Sequence, residues 1–171
     1  LKVERFGGIV FEPDPFQRLK HPMTTQRTPR QIMETYLGDI AVEGRLELLE
    51  EIALPDMIDE ANQAFNGPPG REGLVAHVYG FRRNVTDLQV NVDRIVAGES
   101  DVMAWWSFTG THTGPWLGRP PTGREITGNV FSFFDLKDGR ISFYRLWLCA
   151  LFEGEAVILD SSRPEQFRKR A

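Results

Sequence analysis

Cysteine is almost missing from this chain: Cys149 is the single one in 171 residues. No intramolecular disulfide can form, and the sequence reads as suited to a reducing, cytoplasmic setting. The neighbours Trp147, Leu148, Ala150 and Leu151 mark Cys149 as a small core residue, because a reactive thiolate needs a basic or hydrogen-bonding neighbour. Long apolar runs are also lacking. Nothing approaches the roughly 20 residues that a membrane helix requires, and the opening of the sequence lacks the unbroken apolar stretch of a signal peptide. Positive charge is not in excess either: 20 Lys and Arg stand against 24 Asp and Glu, a formal net charge of −4. Phosphate-backbone binding needs clustered Lys and Arg, so no nucleic-acid partner is expected, and Arg168-Lys169-Arg170 reads as a solvated tail. No His, Asp and Glu cluster has metal-ligand spacing, and no Gly-rich phosphate loop follows a strand. Neither a metal nor any other cofactor is expected.

What is present suffices for one domain, since an apolar share of 41% can fill one continuous core at this length. Residues 1–22, with Pro13-Asp14-Pro15 and scattered charge, read as an N-terminal extension. Residues 23–160 carry the domain, and residues 161–171 read as a C-terminal tail. The first helix is announced by Thr28-Pro29-Arg30-Gln31, where Thr caps, Pro suits the first helical position and Gln completes a capping box. Ile32, Tyr36 and Ile40 then recur on one face until Glu43-Gly44 breaks the pattern. A second short helix is predicted through Leu46, Leu49 and Ile52, ending at Pro55. Beyond the loop Asn66-Gly67-Pro68-Pro69-Gly70, a third helix carries the apolar stripe Leu74, Val78, Phe81 and Val85, with His77 on that stripe.

From Leu88 the pattern turns to strands, predicted over 88–97, 101–111, 124–136 and 140–152 with turns at Glu99-Ser100-Asp101 and Lys137-Asp138-Gly139-Arg140. Helices first and a strand meander afterwards predict an α+β domain: a curved antiparallel sheet packed against N-terminal helices, forming a cone with an internal apolar pocket. On the last strand Phe143 and Trp147 alternate with Tyr144, Leu146 and Leu148, so both sheet faces are apolar. Burial of both predicts a homodimer through the sheet.

Gly110-Thr111-His112-Thr113-Gly114, followed by Gly118 and by Pro120-Pro121-Thr122-Gly123-Arg124, resembles the strand-loop-strand signature of the SnoaL-like polyketide cyclases, G-T-H-x-G to P-P-T-G-K/R. The early Glu-Gly, the Pro55-to-Asp59 segment, the helix opening at Gly73 and Asp138-Gly139-Arg140-Ile141 follow the same order, so the resemblance spans about residues 29–153. It implies a cystatin-like cone of the nuclear transport factor 2 superfamily, which also holds limonene-epoxide hydrolases, scytalone dehydratases and ketosteroid isomerases. In the aldol-type cyclases an Asp on the last strand is the acid/base and a His on the preceding strand assists enolisation. Those positions fall here on Leu146 and Ser132. The epoxide-hydrolase pattern fails at the same place: Arg145 resembles its Arg, but Leu146 stands where its catalytic Asp would be.

The remaining polar candidates on pocket-facing elements are few. His77, Glu60 and Tyr144 are the candidate catalytic groups: an imidazole that titrates near neutrality, a carboxylate where relatives carry a His, and a phenol that can donate to a carbonyl. Tyr36, Asp59, Phe81, Trp105, Trp106, His112, Trp116, Ser132, Phe134, Leu146 and Leu148 are the candidate substrate-binding residues. Strand alternation admits only one of Trp105 and Trp106 to the pocket. The expected function is a cofactor-independent cyclase of polyketide or related natural-product biosynthesis that folds a hydrophobic substrate, with [4+2] cycloaddition as the leading mode. The alternatives are an acid/base isomerase or pyran-forming cyclase using His77 or Glu60, and a non-catalytic carrier of hydrophobic small molecules.

Overall fold

The structure is a computed structural model that describes residues 26–163, so the expected extension and most of the tail lie outside the described residues. The first helix, α1 (Pro29–Glu34), opens with both capping-box bonds in place: Gln31 N–H donates to Thr28 Oγ1 and Thr28 N–H to Gln31 Oε1. It runs without a break into a π-helical segment, Thr35–Val42. Ile32, Met33, Tyr36, Leu37 and Ile40 are buried along it. The carbonyls left over at its end accept from Arg82, whose guanidinium reaches Ala41 and Val42. Gly44, at φ 79°, turns the chain away.

The predicted second helix is shorter than its pattern. A 3₁₀ turn (Leu46–Leu48) and α2 (Leu49–Ile52) stop at Ile52, and the chain straightens into β1 (Ala53–Asp59). A five-residue helix, α3 (Glu60–Ala64), and the long α4 (Gly70–Asn84) follow. The strands are β2 (Val85–Ala97), β3 (Asp101–His112), β4 (Glu125–Lys137), β5 (Arg140–Phe152) and β6 (Glu155–Asp160). β6 was not foreseen, although Glu153-Gly154 supplies the paired positive φ angles that a tight hairpin needs.

The sheet runs β1-β5-β4-β3-β2, with β6 pairing β5 beyond the end of β1. The sheet packed against N-terminal helices is the expected α+β arrangement, with antiparallel pairing from β2 to β6; β1 adds a parallel pairing with β5, which makes the sheet mixed. The two strands are joined by most of the domain, the long crossover that parallel pairing requires. Strict alternation along β3 sends Val102, Ala104, Trp106, Phe108 and His112 inward and leaves Met103 and Trp105 outside. The ring of Phe108 lies over Gly128, its direct partner on β4. A Cβ at that glycine would fall inside the space the ring occupies. Gly128→Ala is therefore expected to push Phe108 into the interior and to destabilise the domain by about 1–3 kcal/mol, read as a lowered thermal midpoint.

Candidate functional site

Asp59 ends β1 and caps α3, where one carboxylate oxygen accepts from Asn62 N–H at 3.0 Å. The other oxygen lies 2.8 Å from His77 Nδ1, on the inward face of α4. The Asp59 side chain is only 1% exposed, whereas that of His77 is 23% exposed. Burial disfavours the imidazolium, but the charge of Asp59 and its hydrogen bond outweigh that cost and raise the His77 pKa above 6.5. A carboxylate facing Nδ1 fixes the proton there in the neutral ring. Nε2 is then the nitrogen left to exchange a proton with a ligand.

A phenol cluster stands beside this dyad. Tyr144 stacks on His77 with ring centroids 5.6 Å apart and planes 16° off parallel. Its hydroxyl is 3.1 Å from Ser132 Oγ, which also receives Trp106 Nε1–H at 3.0 Å. Tyr36 meets Tyr144 edge-on, with ring centroids 5.6 Å apart. Burial raises both phenol pKa values well above 10, so both stay protonated.

The cavity has two parts. An outer chamber of about 660 Å³ opens between α3, α4 and the loop 113–124. An inner crevice of about 40 Å³, little more than the ~30 Å³ of one water, ends at Tyr36 and Tyr144. His77, Phe81, Trp116, Leu146 and Leu148 line both parts and form the neck between them. The loop covers the chamber because Trp116 wedges against Phe81 and Phe108, while Arg119 pairs with Glu155 at 2.7 Å and lies over Phe152.

His77, Tyr36, Tyr144, Phe81, Trp106, Trp116, Leu146 and Leu148 all meet at the cavity. The other six candidates lie away from the cavity wall. Trp105 is 47% exposed on the outer face and stacks on Phe131, because alternation gives the interior to Trp106. Glu60 is committed to Arg145, with both oxygens at 2.8 Å from the guanidinium, and also accepts from Ser161 Oγ. Its carboxylate clamps α3 to β5 and does not line the cavity. Asp59 acts behind His77 and does not meet the cavity itself. Phe134 and Ser132, both fully buried, back the phenols: Phe134 packs against Tyr36 and Tyr144 at 5.0 and 4.9 Å, and Ser132 bonds Tyr144. His112 is buried at the foot of the loop with Nδ1 3.3 Å from Thr122 Oγ1, and its Nε2 has no partner among the described residues.

The Asp59–His77 pairing itself was not foreseen, since the residues lie 18 positions apart and β1 was read as the end of a helix. Asn62, Phe65, Leu117 and Arg119 also line the chamber without any sequence signal beyond the family loop. Among the described residues no group of three or more His, Cys, Asp and Glu could hold a metal ion. No helix among them is long and apolar enough to cross a membrane.

An α+β cone with a hydrophobic cavity and a polar floor defines a small-molecule domain, and comparison specifies it further. Residues 31–148 match the SnoaL-like polyketide cyclase family, and the chain belongs to that family. Among solved structures, TsrD from Streptomyces laurentii is similar at 26% identity and a TM-score of 0.61, over 70% of this chain and 86% of that one. IdmH from Streptomyces antibioticus is similar at 26% identity and a TM-score of 0.57, over 72% and 92%. A SnoaL-like polyketide cyclase from Agrobacterium tumefaciens shares the fold at 18% identity and a TM-score of 0.59, over 82% and 98%. No curated protein gives a significant match.

The origin of the raised His77 pKa can be measured directly. Asp59→Asn removes the charge that favours the imidazolium and leaves the burial that opposes it. The His77 ring, followed by NMR, should titrate above 6.5 in the wild type and below 6.5 in Asp59→Asn.

Proposed function

We propose that this protein is a cofactor-independent cyclase that closes a ring in a hydrophobic, unsaturated carbonyl substrate by proton transfer at His77. The observation that carries this reading is the 2.8 Å Asp59–His77 bond at the neck of an apolar cavity, beside a protonated Tyr144. The mechanism follows from the positions. Neutral His77 takes through Nε2 a proton from the carbon next to the carbonyl, and the C–H electron pair moves onto the carbonyl oxygen, where Tyr144 O–H stabilises it. The enolate carbon then attacks a second electrophilic carbon of the same chain, folded back in the outer chamber. The oxygen left negative recovers the proton from His77, so the reaction is a redox-neutral isomerisation.

The same arrangement favours proton transfer over closure by folding alone. A cavity that only folds its ligand gains nothing from a buried carboxylate whose bond orients an imidazole. Positioned acid/base groups contribute about 10²- to 10⁴-fold. The family's usual acid/base positions are filled by Ser132 and Leu146, which face each other across β4 and β5, and here Ser132 supports the phenol while Leu146 forms apolar wall.

The test begins with deletion of the gene in its natural host, where an uncyclised, carbonyl-bearing precursor should accumulate. Complementation with wild type should restore the cyclic product. His77→Gln should fold normally by circular dichroism and lower product formation by about 10²- to 10⁴-fold. Full restoration by His77→Gln would show that folding of the substrate is enough, as in a [4+2] closure, and would overturn the acid/base reading.

The reading includes a homodimer. Trp105, Phe131 and Trp147 are direct neighbours across β3, β4 and β5 and form an aromatic row on the outer face. Arg94 pairs with Trp105 on β2 and Asp160 with Trp147 on β6, so the row ends in opposite charges. A two-fold axis through Phe131 would set unlike ends in register, which favours a second copy as the occupant. Trp147→Glu should convert the dimer to monomer in sedimentation, and an unchanged dimer would remove this face as the interface.

A further inference from the structure

We infer that the inner crevice is a subsite for a carbonyl or enolate oxygen, in which Tyr144 is held as an obligate hydrogen-bond donor and Trp106 and Ser132 are its positioning residues. This deepens the acid/base reading above by assigning the ligand group that enters first and the residues that orient its donor.

The direction of each bond follows from what the atoms can do. An indole nitrogen has a hydrogen to give and no lone pair to offer, so Trp106 Nε1 donates to Ser132 Oγ at 3.0 Å. Ser132 is fully buried, and its other side-chain contact is the Tyr144 hydroxyl at 3.1 Å. If Tyr144 donated to Ser132, the serine hydrogen would be left buried without an acceptor, which the interior penalises. The satisfied arrangement runs from Trp106 to Ser132 to Tyr144. Tyr36, 4% exposed, stands edge-on to Tyr144 with ring centroids 5.6 Å apart.

The incoming bond from Ser132 occupies a lone pair of the Tyr144 oxygen, and its single hydrogen is left for another direction. The crevice is that direction: Tyr36, His77, Trp106 and Tyr144 all border it. Bonds that run head to tail polarise one another, so the last O–H of this chain is a stronger donor than an isolated phenol. The crevice, at about 40 Å³, admits an oxygen and little of what it is attached to. A substrate therefore enters with its carbonyl end first and leaves its apolar length in the outer chamber. An ammonium end finds no acceptor on Tyr144.

The groups whose charge bears on a ligand oxygen here are His77, stacked on Tyr144, and Asp59 behind it. The test must separate their effect from that of the donor chain. The probe is 4-nitrophenol, whose phenolate mimics an enolate oxygen and is distinguished from the neutral form by absorbance. Its nearly isosteric control is 4-nitrotoluene, which reports cavity shape alone. In the wild type the bound phenol should ionise at lower pH than in water. Tyr144→Phe should weaken phenolate binding about tenfold or more, and Trp106→Phe and Ser132→Ala each by a few-fold, with 4-nitrotoluene affinity unchanged.

Equal losses for both probes would make Trp106 and Ser132 packing residues only and would overturn the inference. A phenolate preference that persists in Trp106→Phe, Ser132→Ala and Tyr144→Phe but vanishes in His77→Gln would place the stabilisation on the imidazolium, with the same consequence. So would a wild type that shows no preference for the phenolate. No turnover is measured, so the subsite can fail while proton transfer at His77 stands, and the reverse outcome is equally visible in the complementation experiment.

Discussion

The hydrogen bond between the buried Asp59 carboxylate and His77 is the constraint on which the rest of the site depends. It joins the junction of β1 and α3, which Asp59 caps, to the middle of α4, 18 positions further along the chain. A carboxylate that is 1% exposed is tolerated only when its oxygens are satisfied, and here one accepts from the Asn62 backbone and the other faces the imidazole. Breaking such a buried pair by removing one partner costs several kcal/mol, because the other is left uncompensated. The same bond holds α4 at the depth and rotation that put the His77 ring at the neck of the cavity. Position and protonation are thus set by one contact.

Around that contact the cone concentrates polarity on one side. Phe81, Trp116, Leu146 and Leu148 surround the neck with apolar side chains, and in a medium of lower effective dielectric each remaining dipole acts more strongly than it would in solution. The clamp between Glu60 and Arg145 serves the same geometry from outside, since Glu60 follows Asp59 and its salt bridge fixes α3 against β5. A carboxylate that looked catalytic by position is mechanical in effect.

How much of this the sequence revealed depended on whether the signal was local. The capping box at Thr28, the hairpin at Asp138-Gly139 and the alternation of β3 to β5 are written in adjacent residues, and the fold class followed from them. β1 was hidden because Pro55 and the acidic residues near it read as a helix end, while its pairing with β5 depends on residues more than 80 positions away. With β1 misread, Asp59 looked like a substrate-binding residue, and nothing in an 18-residue interval could point its carboxylate at His77. Alternation showed that only one of Trp105 and Trp106 faces inward, but choosing between them needed the register against β4.

The proposed role of His77 has a consequence for the reaction path. An acid/base on the last strand would approach a ligand from the sheet, whereas His77 approaches from α4, on the opposite wall of the cone. Tyr144 remains on the sheet, stacked beside His77 and facing the same crevice. In the proposed reaction a ligand oxygen held by Tyr144 would present its neighbouring carbon to the helix side, toward His77. Ser132 and Leu146, opposite each other in the sheet, fit this reversal: one supports the donor from behind, and the other leaves an apolar surface against which the carbon chain can lie. In the proposed reaction, proton transfer and carbonyl binding would be divided between the two layers of the fold, which meet at the neck lined by His77, Leu146 and Leu148.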